Sequence, residues 1–399
     1  MKKSKAKRHC MIVHHAYPLA EPRVERESQA LVKHGYEVDV LALQQDPPAP
    51  AFEVVEGVNV YRLPVLRDKS RGIVGQFLEY FSFFIRSFFK VSALHFKRKY
   101  GVVEAHNLPD FLVFAALIPK LMGAKVILNI HDVMPEFYAV RFKTGMSSWP
   151  VRLVRWQERI SCWFADHVIT VTELWRQSLI GRGVRADKTS VVMNLADERI
   201  FGDAKPADHP NGSREGFRLI YHGTITRRYG IDLLIQALDK VKSEIPGIHL
   251  TIHGGGEFRD EIMRMVKERN LDSYVYFSVN RVPSSELPKM IMKADLGIVP
   301  YRYDVFTDGI LPTKLMEYAA VGVPVVAART TAITAYFDNE MVHLFTPGDV
   351  NELAQSILFL YKDRTRLAQY AQNIEKFNER YNWRTVASQY VGLIDRLNQ

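Results

Sequence analysis

The stretch from Phe306 to Val326, FTDGILPTKLMEYAAVGVPVV, carries the residue types best suited to gripping an anion. Gly309 and Pro312 mark a helix start, and Gly322-Val323-Pro324 ends that helix before a buried strand. Lys314 falls in the first turn, where the helix dipole disfavours a cation, so an anionic ligand at that end would account for it. Glu317 follows three residues later on the same face and is placed to accept hydrogen bonds from sugar hydroxyls. A solvated Lys–Glu pair would need none of the surrounding Gly and Pro frame.

Two glycine turns point the same way. Tyr221-His222-Gly223-Thr224-Ile225-Thr226-Arg227-Arg228-Tyr229-Gly230 follows a strand pattern and opens a helix at Ile231. Unpaired N–H groups at such a turn suit a phosphate, and Arg227 and Arg228 add charge; a plain turn with solvated arginines is the simpler alternative. Gly254-Gly255-Gly256-Glu257 lets the backbone approach a ligand closely. It lacks the spacing of a dinucleotide fingerprint. It is similar to a lipase oxyanion loop, but no G-x-S-x-G supplies a nucleophile. In the first half, His131 and Asp132 close one strand pattern at its carboxyl end, and His106 and Asn107 stand at the end of another. Cys10 and Cys162 are isolated in apolar surroundings, with no metal-ligand spacing, which fits a reducing compartment.

Short apolar runs alternate with longer helical patterns and must position these residues. Strands are expected at Cys10–His14, Val38–Leu43, Val58–Leu63, Val102–Ala105, Val126–Ile130 and His167–Val171, with helices at Arg23–His34, Phe77–Tyr100, Phe111–Met122 and Val151–Phe164. The second half repeats the rhythm at Phe217–His222, His249–His253, Val275–Phe277, Leu296–Pro300, Val323–Ala327 and His343–Phe345. Such alternation predicts an α/β protein with parallel sheets of βαβ units. Gly202–Gly216, rich in Pro, Gly and polar residues, is the expected boundary between two similarly sized domains.

The chain has 399 residues, 47% hydrophobic and 24% charged, which excludes a disordered or collagenous protein. Its net charge of +9 is one-sided: residues 1–200 hold 29 basic and 20 acidic residues, residues 201–399 hold 24 of each. The one-sided field points to an anionic partner for the first half: nucleic acid, an acidic lipid surface or a phosphorylated substrate. Nucleic acid is not favoured, because no recognition motif accompanies the charge. The apolar run Cys10–Val13 is too short for a signal-peptide core. Ile73–Phe96 is rich in Phe but interrupted by Glu79, Arg86 and Lys90, so no transmembrane helix is expected.

The order Gly223…Arg228-Tyr229-Gly230, GGGE, PTKLMEYAAVGVPVV resembles the donor domain of the GT-B retaining glycosyltransferases of family 4 (glycosyl transferases group 1). The first half agrees through Tyr17-Pro18…Arg23-Val24, HNLPD from His106 to Asp110, LNIHDVMPE from Leu128 to Glu136, and Asn194. The resemblance implies two Rossmann-like domains facing each other across a cleft. Residues 1–203 would bind the acceptor and 214–375 the nucleotide-sugar donor, while 376–399, with Trp383, would pack back on the first domain.

Glu317 matches the second glutamate of the family's E-x7-E motif, implied to hold the ribose, whereas the first falls on Gly309 and is missing. Asp308 or backbone N–H groups of Gly309–Leu311 would take over its contacts to the sugar. Thr224 and Tyr229 stand where the family has diphosphate-binding cations, so Arg227, Arg228 or Lys314 is expected to supply that charge, with Gly223 and Gly255 shaping the site. Base recognition is expected at Ser278–Val282. His131 matches the active-site histidine facing the transferred sugar, with Asp132 orienting its ring, and Tyr17, Arg23, His106, Asn107 and Glu136 are expected on the acceptor side.

The implied reaction moves a glycosyl group from a nucleoside diphosphate sugar to a hydroxyl of a glycan or lipid-linked precursor, in cell-envelope polysaccharide synthesis, with retention. No D-x-D motif occurs, so no metal is expected. Arg152, Arg155 and Arg159 share one helix face with Val154, Trp156 and Ile160 nearby, and Phe77–Phe96 is followed by Lys97, Arg98 and Lys99. Residues 73–100 and 151–164 are therefore expected to dock on anionic lipid, placing a cytoplasmic enzyme peripherally at the inner face of the membrane. A GT-B epimerase or phosphorylase, or a non-catalytic scaffold, are the alternatives.

Overall fold

The computed structural model describes residues 7–18, 21–45, 47–68, 72–202, 216–278 and 284–399. Most of the expected boundary segment, residues 203–215, lies outside them. The chain forms two compact units, Met1–Asn194 with Arg384–Gln399, and Leu195–Trp383.

In the first unit the apolar runs become strands β1 (Arg8–Val13), β2 (Glu37–Leu43), β3 (Phe52–Val55), β4 (Val58–Leu63), β5 (Val102–His106), β6 (Lys125–Ile130), β7 (His167–Thr170) and β8 (Thr189–Val191). They form one sheet in the order β3-β4-β2-β1-β5-β6-β7-β8, parallel except for the β3–β4 hairpin. The central strands are apolar on both faces because helices cover both, and Cys10, Met11 and Ile12 are fully buried. Parallel register aligns the carboxyl ends: Val13 pairs with His106, and His106 with Asn129. The residues with chemistry on these strands therefore meet along one edge, the usual ligand edge of such sheets.

The second unit has strands β9 (Phe217–His222), β10 (Ile248–His253), β11 (Val275–Phe277), β12 (Leu296–Val299), β13 (Val325–Ala328) and β14 (His343–Phe345), all parallel in the order β11-β10-β9-β12-β13-β14. His222 pairs with His253, so the two glycine turns that follow stand side by side.

Three elements differ from the sequence expectation. Strands β3 and β8 were not anticipated. β3 closes on β4 through a two-residue turn at Glu56 and Gly57, whose φ angles of 47° and 83° are those of a tight hairpin but whose Glu-Gly pair is an unusual signal for one. The expected helix Phe111–Met122 divides into a 3₁₀ segment, Asp110–Ala116, and a short α-helix, Leu117–Leu121. Pro119 explains the break: it is tolerated in a first turn, where its missing N–H costs nothing, and not in the middle of a long helix.

The final helix, Trp383–Leu397, brings Tyr390 into the first unit's interior, where its hydroxyl donates to Glu104 Oε2 at 2.6 Å. Tyr36 donates to Asp395 at 2.5 Å, and Lys7 pairs with Asp395 at 3.1 Å. No helix of the described residues is long and apolar enough to cross a membrane.

Candidate functional site

In the second unit the helix Thr313–Ala320 starts one residue before Lys314, so the Lys314 ammonium is carried in the first turn. Its stem is enclosed by aromatic rings: Nζ lies 3.8 Å from the centroid of Tyr221 and 5.5 Å from those of Tyr229 and Tyr301. Tyr229 and Tyr301 stack with centroids 4.5 Å apart. Lys314 is buried, and its Nζ has no hydrogen-bond partner among the described residues. Burial lowers its pKa to about 7, partly opposed by the charge of Glu317. An ammonium that is buried, ringed by π faces and unpartnered is a site prepared for an anion.

Gly223, at φ 105°, forms the wall beside it; a Cβ there would meet Lys314 Cε at 3.4 Å and Nζ at 3.5 Å. Gly254 packs so tightly under this turn that a Cβ would fall 1.9 Å from the Gly223 carbonyl oxygen. The two turns thus hold each other by backbone contact, which only glycine permits. Gly255 faces open space on its Cβ side, and its carbonyl accepts from Ile225 N at 2.8 Å. Glu317, one turn past Lys314, has Oε2 3.4 Å from His222 Nε2. Burial, with the charges of Lys314 and His253 added, pushes the His222 pKa well down, so the ring beside Glu317 is neutral, and its Nε2 makes no hydrogen bond among the described residues.

Lys314, Glu317 and Gly223 therefore converge. Asp308 does not join them through its carboxylate: Oδ1 accepts from Thr331 N at 2.7 Å and Oδ2 from Thr331 Oγ1 at 2.8 Å, holding the first residue of the helix Thr331–Tyr336, whose N-cap is Thr330. Gly309 is buried in a 3₁₀ turn, its N–H bound to the Phe306 carbonyl at 3.2 Å. Arg227 is exposed, and Arg228 lies with its guanidinium carbon 5.6 Å from the Phe306 ring centroid. Of the expected base-recognition stretch, residues 279–282 lie outside the described residues; Ser278 Oγ is 2.6 Å from His253 Nδ1. Sequence reasoning did not single out Tyr221, His222 or Tyr301 as site residues. Their signal was position alone, immediately before Gly223 and just past β12.

In the first unit, His131 follows β6 and is buried. Its N–H donates to Asn107 Oδ1 at 2.8 Å, and its Nε2 is 3.1 Å from Nδ1 of His106. His106 ends β5, fully buried. Burial lowers both imidazole pKa values, that of His106 to about 4, with Arg23 adding repulsion in each case, so both rings are neutral at pH 7. Asn107 is a clamp: its Nδ2 donates to Asp110 Oδ1 at 2.9 Å and to the Asp132 carbonyl at 2.7 Å. The partner given to the His131 ring is thus His106, while Asp132 is gripped through its backbone.

Arg23 sits in the first turn of the helix Pro22–Lys33, with Nε and Nη1 unpartnered among the described residues. Tyr17 is fully buried, its hydroxyl 2.9 Å from Ser28 Oγ. Glu136 is buried and bound to Arg182 Nη1 at 2.6 Å, and Arg182 also grips Glu158 through Nε at 2.8 Å. Tyr17 and Glu136 therefore serve as packing and ion-pair partners in this structure, with Arg23, His106, Asn107 and His131 forming the cluster at the strand ends.

Comparison with known proteins matches residues 20–194 to the model of the glycosyl transferase 4-like domain and residues 216–363 to that of the glycosyl transferases group 1. A putative colanic acid biosynthesis glycosyl transferase of Escherichia coli is 25% identical over 321 residues, covering 73% of this chain and 75% of the relative. Sucrose-phosphate synthase of Thermosynechococcus elongatus superposes with a TM-score of 0.79 at 22% identity, covering 98% of this chain and 99% of that one. HepE of Anabaena, solved with UDP-glucose, superposes with a TM-score of 0.71 at 16% identity over 98% of this chain and 99% of that one. The two parallel-sheet units have the GT-B fold.

Proposed function

The chain belongs to the glycosyl transferases of group 1, and from that premise we propose that it is a retaining enzyme that moves a glycosyl group from a nucleoside diphosphate sugar to a hydroxyl of a lipid-linked glycan precursor. The observation that carries the donor half is Lys314: buried, unpartnered, and set in the first turn of a helix beside the Gly223 turn. The reaction breaks the bond between the anomeric carbon and the diphosphate oxygen, and negative charge builds up on that leaving group. Lys314 and the helix N-terminus stabilise it, with Arg227 and Arg228 adding field, so the reading requires no metal. Glu317 holds the ribose hydroxyls, its carboxylate lying beside the neutral His222 ring. The acceptor hydroxyl attacks from the face the diphosphate leaves, and its proton passes to the departing diphosphate. His131 lies against the transferred sugar.

What supports a lipid-linked acceptor is the outer face of the first unit. The helices Ile73–Arg98, Leu117–Leu121 and Trp149–Phe164 leave Phe77, Phe89, Leu121, Trp156 and Trp163 exposed, the last at 79%. On the last of these helices Arg152 and Arg159 are exposed and Arg155 is half-buried. A groove of about 410 Å³ is lined by Leu63, Ile85 and Phe89 together with Arg86 and Lys90. Apolar side chains interleaved with cations suit a peripheral position on an anionic lipid surface, with the enzyme on the cytoplasmic side. The E. coli relative, described in colanic acid biosynthesis, supports an envelope polysaccharide as the product.

The donor reading is tested by thermal denaturation with a panel of nucleoside diphosphates and their sugars. A ligand at 100 times its Kd stabilises the folded state by about 2.7 kcal/mol. One nucleotide should stabilise the wild type and lose most of that effect on Lys314→Ala. Equal stabilisation of both proteins refutes the site.

A further inference from the structure

Behind His131 lies a buried cluster of polar and ionisable side chains that the transfer reaction, as described, does not use. Glu104 and His106 come from β5, Asn129 from β6, His9 from β1, Glu27 from the helix Pro22–Lys33, and Tyr390 from the final helix. Glu27, Glu104 and His106 have ligand-type atoms within 4.8 Å of one another. A cation is not needed to explain them. Glu104 already accepts three hydrogen bonds, from Asn129 Nδ2 at 2.8 Å on Oε1, and from Tyr390 at 2.6 Å and His9 Nε2 at 3.1 Å on Oε2. Three donors converging on one carboxylate stabilise its ionised form.

That charge decides a proton position. The facing nitrogens of His106 and His131, 3.1 Å apart, share one proton when both rings are neutral, so one ring donates and the other accepts. If His106 carried its proton on Nδ1, its Nε2 would be a bare lone pair, buried, without a hydrogen-bond partner and 3.9 Å from the anionic Glu104 Oε1. Moving the proton to Nε2 turns that repulsion into attraction and leaves Nδ1 as an acceptor; Glu27 Oε2, 3.8 Å from Nδ1, does not impose the opposite choice, because burial and the Glu104 charge raise the Glu27 pKa well above the ordinary carboxylate value and favour its neutral form. His131 must then donate from Nε2. We propose that His106 is a positioning residue that fixes His131 as the Nε2–H tautomer, so that His131 presents the bare lone pair of Nδ1 as its remaining polar atom. In that state His131 accepts a hydrogen bond from a hydroxyl of the transferred sugar and has no ring proton to offer it. This consequence rests on the reading of His131 as a sugar contact; the tautomer does not.

Long-range proton–nitrogen NMR on the full chain with nitrogen-15 histidine, assigned by loss of signals in His131→Asn and His106→Gln, reads the tautomers directly. The wild type should show the proton on Nε2 of both rings. In Glu104→Gln the charge is gone, and His106 should shift toward Nδ1–H, turning His131 into an acceptor at Nε2. His106→Gln should change the His131 signature while the protein keeps its cooperative unfolding. A proton on Nδ1 of His131 in the wild type overturns the proposal, as does an unchanged His131 tautomer in both variants. Kinetics separate the second claim: loss of the oriented hydrogen bond should lower kcat ~10–100-fold with donor KM nearly constant. An altered tautomer with full kcat would refute the sugar contact and leave the positioning role standing.

Discussion

At the scale of single residues, the decisive feature is a cation stored without a partner. Lys314 holds its pKa at about 7, below the ordinary lysine value, because burial penalises its charge. Between about pH 7 and the unfolded value near 10.4 the unfolded chain binds more protons than the folded one, so stability of the free protein rises with pH across that window. Lys314→Met should abolish this rise in a pH series of denaturant midpoints. Binding of an anionic donor restores the proton, so donor affinity should fall as pH climbs through 7, measured by calorimetry in buffers of different ionisation enthalpy; pH-independent binding with no proton uptake would contradict the assignment. Asp308 gives the contrasting case. Its carboxylate accepts two hydrogen bonds from Thr331, so Asp308→Ala should cost about 0.5–1.5 kcal/mol of stability while leaving nucleotide Kd unchanged. The sequence pointed to Asp308 as a stand-in for the missing glutamate because the two positions are adjacent. Adjacency along a chain does not say which way a carboxylate turns, and here Thr331 claims it. Lys314 and Glu317 were legible because helix spacing fixes their common face; the tyrosine cage was not, since Tyr221 and Tyr229 of one turn meet Tyr301 and Lys314 from distant parts of the chain.

At the scale of elements, the strand pattern was readable because buried parallel strands are continuous apolar runs with glycine or polar punctuation. What escaped were elements stabilised by partners: β3 exists because β4 lies beside it, and β8 is three residues long. The helix Ile73–Arg98 is longer than its periodicity suggested, starting directly after Gly72. With the helices Leu117–Leu121 and Trp149–Phe164 it displays aromatic and aliphatic side chains that the composition alone would place inside. Replacing Trp156 and Trp163 together with Ser should leave unfolding temperature within a few degrees, because both are exposed. The same variant should lose most of its flotation with phosphatidylglycerol vesicles at low salt. Retained flotation would assign the attraction to charge alone, and absence of wild-type flotation would remove the lipid docking altogether.

At the scale of the whole molecule, the nine surplus charges sit in the half that carries the exposed aromatic face, while the half with the Lys314 site is neutral overall. On the proposed reading, anion capture rests chiefly on one buried cation, and attraction to a lipid surface on many solvated ones. Raising the salt should weaken vesicle binding steeply and nucleotide binding only slightly, since buried charge is poorly screened. Tyr390 adds a coupling through its bond to Glu104: Tyr390→Phe should leave that carboxylate with two donors and destabilise the first unit by about 1–3 kcal/mol, read as an earlier transition in two-probe unfolding. The same tyrosine bears on how the chain is made. The first unit is built from two stretches with all of Leu195–Trp383 between them. As the polypeptide emerges from the ribosome, the second unit has its complete sequence before the first does. The earlier-born half must wait, its Glu104 carboxylate short of one donor, for a helix synthesised only after the whole of the second unit.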